Sequence, residues 1–185
     1  MHLVGALADR SRWSALRCPA AATLDVVGSR STVLIMREAL YGTTRFDDFA
    51  QRVGLTDGVV SGRLRELTDL GLLARVPYQE PGRRTRFEYR LTERGADFGT
   101  VVLALFEWGA KHLAPGGRAP FDLEHGGDGE SGGDDETCGA AVHAKVVCEA
   151  GHEVAPHAIT VRRRAQPVAS SRRSASSRAT RPSSR

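Results

Sequence analysis

The chain has little of what several protein classes require. Only three of its 185 residues are cysteine. That odd number argues against a disulfide framework and suits a reducing cytoplasm. Aromatic residues make up 6% and hydrophobic residues 41%, enough for one modest core but not for one that uses the whole length. No apolar run of about 18 residues occurs, so no membrane-spanning helix is expected. The apolar patch Leu3 to Ala8 has no basic stretch before it and runs into Asp9 and Arg10, so no secretory signal is expected. A nucleophile elbow, a P-loop, a dinucleotide fingerprint and an HExxH motif are all missing, and the chain is not expected to be an enzyme.

What is present is unevenly placed. The net charge is +4, from 26 basic and 22 acidic residues. Residues 1–113 hold 16 basic and 13 acidic residues, net +3. Residues 114–161 hold 2 and 9, net −7, and residues 162–185 hold 8 arginines and no acid, net +8. Such block patterning marks tails and linkers. The expected organisation is an N-terminal segment (1–17), a folded domain (18–113), an acidic Gly-rich linker (114–137), a small appendage (138–161) and a disordered Arg/Ser-rich tail (162–185).

Within the domain, Leu24 to Leu40 is strongly apolar but interrupted by Gly28-Ser29-Arg30-Ser31, which predicts one helix or two with a break. Phe46, Phe49, Ala50 and Val53 lie on one face of a short helix, with Thr44 as its cap and Gly54 as its stop. Thr56 is expected to cap a second helix, about Asp57 to Leu70, where Val60, Leu64 and Leu67 face inward and Gly71 ends it. Two short helices so joined form a helix-turn-helix. Leu72 to Tyr78 and Thr85 to Leu91 read as strands around Pro81-Gly82, with Phe87, Tyr89 and Leu91 alternating against Arg86, Glu88 and Arg90. Thr92 then caps a last helix, about Glu93 to Leu113, with Phe98, Val101, Val102, Leu105, Trp108 and Leu113 as its apolar set. The fold class is α+β, a winged helix-turn-helix followed by a largely disordered extension.

A helix of this kind fits the major groove. The outward face of the 57–70 helix carries Gly58, Gly62, Arg65 and Asp69, flanked by Ser61 and Glu66 and preceded by Thr56. Arg65 offers a fork for guanine or phosphate, and Ser61 a donor. Gly58 and Gly62 either let the backbone approach DNA closely or are neutral surface positions. Arg83, Arg84 and Arg86 cluster at the hairpin tip, suited to phosphates or the minor groove. The wide apolar stripe of the last helix either covers the core or makes a dimer contact, and a two-fold dimer would match a pseudo-palindromic site.

Cys18-Pro19, Arg45-Phe46-Asp47-Asp48-Phe49, Leu64-Arg65-Glu66-Leu67 with Gly71-Leu72-Leu73, Phe87 to Gly95 and Trp108-Gly109 occur in this order. Together they resemble the HxlR-type winged-helix transcriptional regulators of bacteria, which are MarR-like, over about residues 18–112. The resemblance implies a cytoplasmic homodimer on double-stranded operator DNA, terminal helices in the dimer contact and the 57–70 helix as recognition helix. It departs at Ser31, where the family commonly has a Trp after a Gly and a basic residue. Cys18 falls where the family often has a cysteine, which in some members senses oxidants, and Arg17 beside it favours a thiolate. An inert thiol is the alternative. A winged helix used only for protein contact, with no specific DNA site, is the competing function. The effector, the operator and the sign of regulation are not readable.

Beyond the domain, Cys138, His143, Cys148 and His152 are spaced C-x4-H-x4-C-x3-H. Four zinc ligands, three with the fourth lost, and an unmetallated appendage all stay open, because the spacing lacks the close pairs of a zinc ribbon. No other cofactor is expected.

Overall fold

The computed structural model describes residues 1–12, 14, 18–126 and 138–163. Arg17, the Gly-rich stretch 127–137 and the arginine-rich tail from residue 164 lie outside the described residues. In chain order the elements are β1 (His2–Leu3), α1 (Pro19–Val27), α2 (Arg30–Leu40), α3 (Phe46–Val53), α4 (Asp57–Asp69), β2 (Leu73–Tyr78), β3 (Arg86–Leu91), α5 (Glu93–Asp97), α6 (Gly99–His112) and β4 (Thr160–Val161), with short 3-10 turns between some of them.

The chain divides into two units, Met1–Trp13 with Ala155–Arg185, and Ser14–Val154. In the first, β1 pairs in parallel with β4, His2 opposite Thr160 and Leu3 opposite Val161.

The second unit holds the helices and the hairpin. Pro19 opens α1, where a missing N–H costs nothing. The apolar run 24–40 does break in two. Gly28 ends α1 so tightly that a Cβ there would sit 2.3 Å from the Leu24 carbonyl oxygen. Ser29 then caps α2 by accepting from the Thr32 N–H at 3.1 Å. The cap expected of Thr44 is not made. Arg45 holds the N-cap position of α3 without a side-chain bond, and the Thr44 carbonyl instead accepts from the Tyr89 N–H of β3 at 2.8 Å. Thr56 does occupy the N-cap of α4, but its side chain makes no capping bond. Gly54 and Gly71 end α3 and α4 in the left-handed region, at φ 62° and 69°.

The core is where these helices meet. Ile35 and Met36 of α2, Phe49 of α3, and Val60, Leu64 and Leu67 of α4 are fully buried, and Leu73 closes the sheet side. Buried Glu38 is satisfied by Arg37 at 2.6 Å. β2 and β3 run antiparallel, from Leu73 opposite Leu91 to Tyr78 opposite Arg86. Leu72 and Thr85, expected in the strands, fall just outside them.

The last helix is two, not one. α5 stops at Phe98, whose ring turns into the core at 8% exposure, and α6 restarts at Gly99. The sharp approach is possible because Gly95 lies against the chain after α4. A Cβ on Gly95 would stand 2.1 Å from the Leu72 carbonyl oxygen. Gly62 in α4, by contrast, has open space around it. Gly95→Ala therefore lowers stability by about 1–3 kcal/mol through overpacking. Gly62→Ala raises it by about 0.5–1 kcal/mol, the helix penalty of glycine. Urea unfolding of the two variants beside the parent chain checks both signs.

Candidate nucleic-acid interface

α4 presents its polar side outward because Val60, Leu64 and Leu67 hold the opposite side in the core. Thr56, Gly58, Gly62 and Arg65 are exposed and Ser61 is partly so. Arg63 is already engaged. Its guanidinium donates to the Ser31 hydroxyl at 3.1 Å and pairs with Glu66. Ser31 thus does different work from the Trp that the resemblance would put there: it ties the start of α2 to α4. Arg65 borders a cleft of about 340 Å³ between α1 and α4, with Asp25, Val26, Glu66 and Asp69 also on its walls.

The hairpin is a charged wing whose base and tip differ. Along the strands the arginines are occupied. Arg75 lies over the Phe87 ring at 3.6 Å and Arg90 pairs with Glu88 at 2.6 Å, while nearer the tip Arg45 lies over Tyr78 at 4.9 Å and pairs with Glu80 at 3.3 Å. The expected alternation holds at Tyr89 and Leu91, which pack against the core, and at exposed Arg86 and Arg90, but not at Phe87 and Glu88. Phe87 is on the exposed side under Arg75, whereas Glu88 is mostly covered. At the tip Gly82 turns the chain at φ 73°, and the Arg83 N–H donates to the Glu80 carbonyl at 3.0 Å. Arg83, Arg84 and Arg86 are exposed there, and among the described residues their side chains have no ion pair.

One residue joins helix and wing. The Thr92 hydroxyl donates to the Gly71 carbonyl at 2.7 Å and accepts from the Gly95 N–H at 3.1 Å. Its own N–H donates to the Leu72 carbonyl at 3.2 Å.

Of the apolar set of the last helix, Phe98 and Val102 serve the core. Val101, Leu105 and Trp108, at i, i+4 and i+7 on α6, are exposed, Trp108 at 58%. Leu24 on α1 is exposed at 66%. The other side of α6 is covered. Phe121 stacks on Phe106 at 5.1 Å. Glu107 accepts from the His143 ring at 2.6 Å and from the Ala144 N–H at 2.7 Å. The His143 bond, then the Ala144 bond, hold the Glu107 carboxyl below the usual glutamate range.

His143 is thereby committed to Glu107. Cys138 lies 3.4 Å from the His125 ring, a residue outside the proposed ligand set. Cys148 and His152 bracket a tight turn through the Cys148 N–H and the His152 carbonyl at 3.0 Å. Among the described residues no three His, Cys, Asp or Glu side chains are grouped so as to hold a metal ion. Cys18 stands at the N-cap of α1, partly exposed, with no capping bond from its side chain. Among the described residues no helix is long and apolar enough to cross a membrane.

The pattern that defines HxlR-like helix-turn-helix proteins matches residues 26–116, from the end of α1 through α6. An HTH-type transcriptional regulator of Mycobacterium tuberculosis is 36% identical over 138 residues, 74% of this chain and 80% of that protein. The chain belongs to the HxlR-like helix-turn-helix family. It is a transcriptional regulator of the HTH type, and the family and relatives are regulators rather than enzymes. The solved structure of PA1607, described as a transcription-factor candidate, superposes with a TM-score of 0.65 at 30% identity, covering 80% of this chain and 96% of that one. A second such protein, PA1374 of Pseudomonas aeruginosa, gives 0.54 at 33% identity, covering 83% and 96%. Both coverages extend past the 26–116 family region of this HxlR-like regulator.

Proposed function

We propose that the protein acts in the cytoplasm as a homodimer on operator DNA, with α4 in the major groove and the wing on phosphates or in the minor groove. The observation that carries this reading is the wing tip. Three exposed arginines, without ion-pair partners among the described residues, sit on a hairpin that Thr92 ties directly to the end of α4. A solvated loop has no need of such a tie to a helix that exposes its polar side. If the winged helix served protein contact alone, these arginines would not set DNA affinity.

The exposed stripe Val101, Leu105 and Trp108 supports α6 as the dimer contact, because a two-fold pair of such stripes buries what a monomer leaves wet. Cys18 supports a response to oxidants, because it stands at the N-cap of α1 with its side chain open in part to solvent.

Three outcomes test these parts. Duplex DNA selected from random sequence is titrated against the parent chain and against Arg83→Ala with Arg84→Ala. The double variant binds all sequences more weakly, and its log affinity against log salt loses about one unit of slope per arginine. An unchanged slope overturns the wing contact, and failure to enrich any sequence overturns operator binding in favour of protein contact. In sedimentation equilibrium the parent chain has dimer mass at micromolar concentration, and Leu105→Glu has monomer mass with unchanged circular dichroism. A monomeric parent overturns the dimer. Peroxide weakens DNA binding by the parent chain and leaves Cys18→Ser unaffected. A Cys18→Ser variant that still responds removes Cys18 as the sensor.

A further inference from the structure

Recognition helices usually read bases with polar side chains from their first turns. In its first turns α4 offers Thr56, Asp57 and Ser61. Arg63 is held by Ser31 and Glu66, and Arg65 lies in the second half of the helix, at a cleft that Gly62, Asp25 and Asp69 also line. What the first two turns do present is unusual. Val59 is 42% exposed, although Val60 beside it is fully buried. Gly58 precedes Val59 and Gly62 lies one turn on, and open space surrounds the position of a Cβ at either glycine. Val59 is therefore an exposed branched apolar side chain with glycine before it and one turn on, next to the Arg63–Glu66 pair on its other side.

That combination has one natural counterpart on DNA. The thymine C5-methyl is the apolar feature of the major-groove edge, and apolar side chains recognise it by contact. The glycines remove the side chains that would hold the helix axis away from the groove floor. A single exposed valine is ordinary on a protein surface; what singles out Val59 is its place in the first turns of the candidate recognition helix, between two glycines.

We propose that Val59 is a specificity-determining residue of this regulator, packing on a thymine methyl, with Gly58 and Gly62 admitting the backbone to the depth that this contact needs. The proposal rests on operator binding through α4 and deepens that reading.

The test uses the full chain and a duplex selected by it from random DNA. Each thymine of that duplex is replaced singly by deoxyuridine, which removes the methyl and nothing else. With the parent chain, one thymine per half-site shows about a fourfold loss of affinity, the equivalent of one buried methyl group. With Val59→Ala the loss at that thymine falls close to onefold, whereas deoxyuridine elsewhere has the same effect on both proteins. Val59 is exposed, so the variant folds, and circular dichroism confirms it. Gly62→Ala, although more stable, binds the duplex more weakly. The proposal is overturned if no thymine is sensitive to its methyl, or if Val59→Ala keeps the fourfold loss. Either result leaves operator binding standing, because a sequence was selected. A chain that selects no sequence overturns both.

Discussion

Thr92 is the constraint on which the arrangement of the DNA-facing elements depends. A helix leaves its last carbonyls without partners. α4 ends at Gly71 in a left-handed turn, and the carbonyls of Gly71 and Leu72 point at the chain returning from the wing. Thr92 takes both, while its oxygen caps α5 through the Gly95 N–H. Arg94 adds the Leu70 carbonyl at 2.8 Å. Four backbone groups from three elements are satisfied within a few residues. The geometry tolerates only glycine at position 95, because the Leu72 carbonyl occupies the space of its side chain. With the end of β3 and the end of α4 fixed at one place, the wing is tied directly to α4, which is what the proposed joint contact with DNA needs.

Much of this was legible because the signals are local. Gly54 and Gly71 stop their helices as glycine in the left-handed region does, and the i, i+4, i+7 spacing of Val60, Leu64 and Leu67 named the buried face of α4. Thr92 was readable as a cap, since capping spans three residues. Its second role was not, because Gly71 is 21 positions away and no spacing rule covers that distance. The break at Phe98 was hidden for a related reason. Its apolar period continues smoothly through the bend between α5 and α6.

The misreadings at the site share this origin. Alternation assigned Phe87 inward and Glu88 outward, but Arg75 on the neighbouring strand covers the Phe87 ring from outside. Thr44 has a capping side chain, yet its carbonyl is committed to Tyr89. The β1–β4 pair joins the start of the chain to residues near 160 and left no pattern in either segment. A chain of this kind exposes its helices in sequence and conceals the contacts that orient them.

Charge placement then divides the labour between the two DNA-facing elements. α4 contains Arg63 and Arg65 against Asp57, Glu66 and Asp69, so the helix as a whole is slightly acidic. It cannot supply the phosphate attraction on which affinity for DNA mainly rests. The wing tip can, since Arg83, Arg84 and Arg86 are exposed and among the described residues have no ion pair, Glu80 beside them being taken by Arg45. An acidic helix brought against a polyanion is tolerable only if attraction comes from elsewhere and the helix face is chosen for fit. Bare backbone at Gly58 and Gly62 and an exposed Val59 provide fit without charge. Salt sensitivity should accordingly belong to the wing and base preference to the helix, a separation that the Thr92 junction makes workable by holding the two in fixed register.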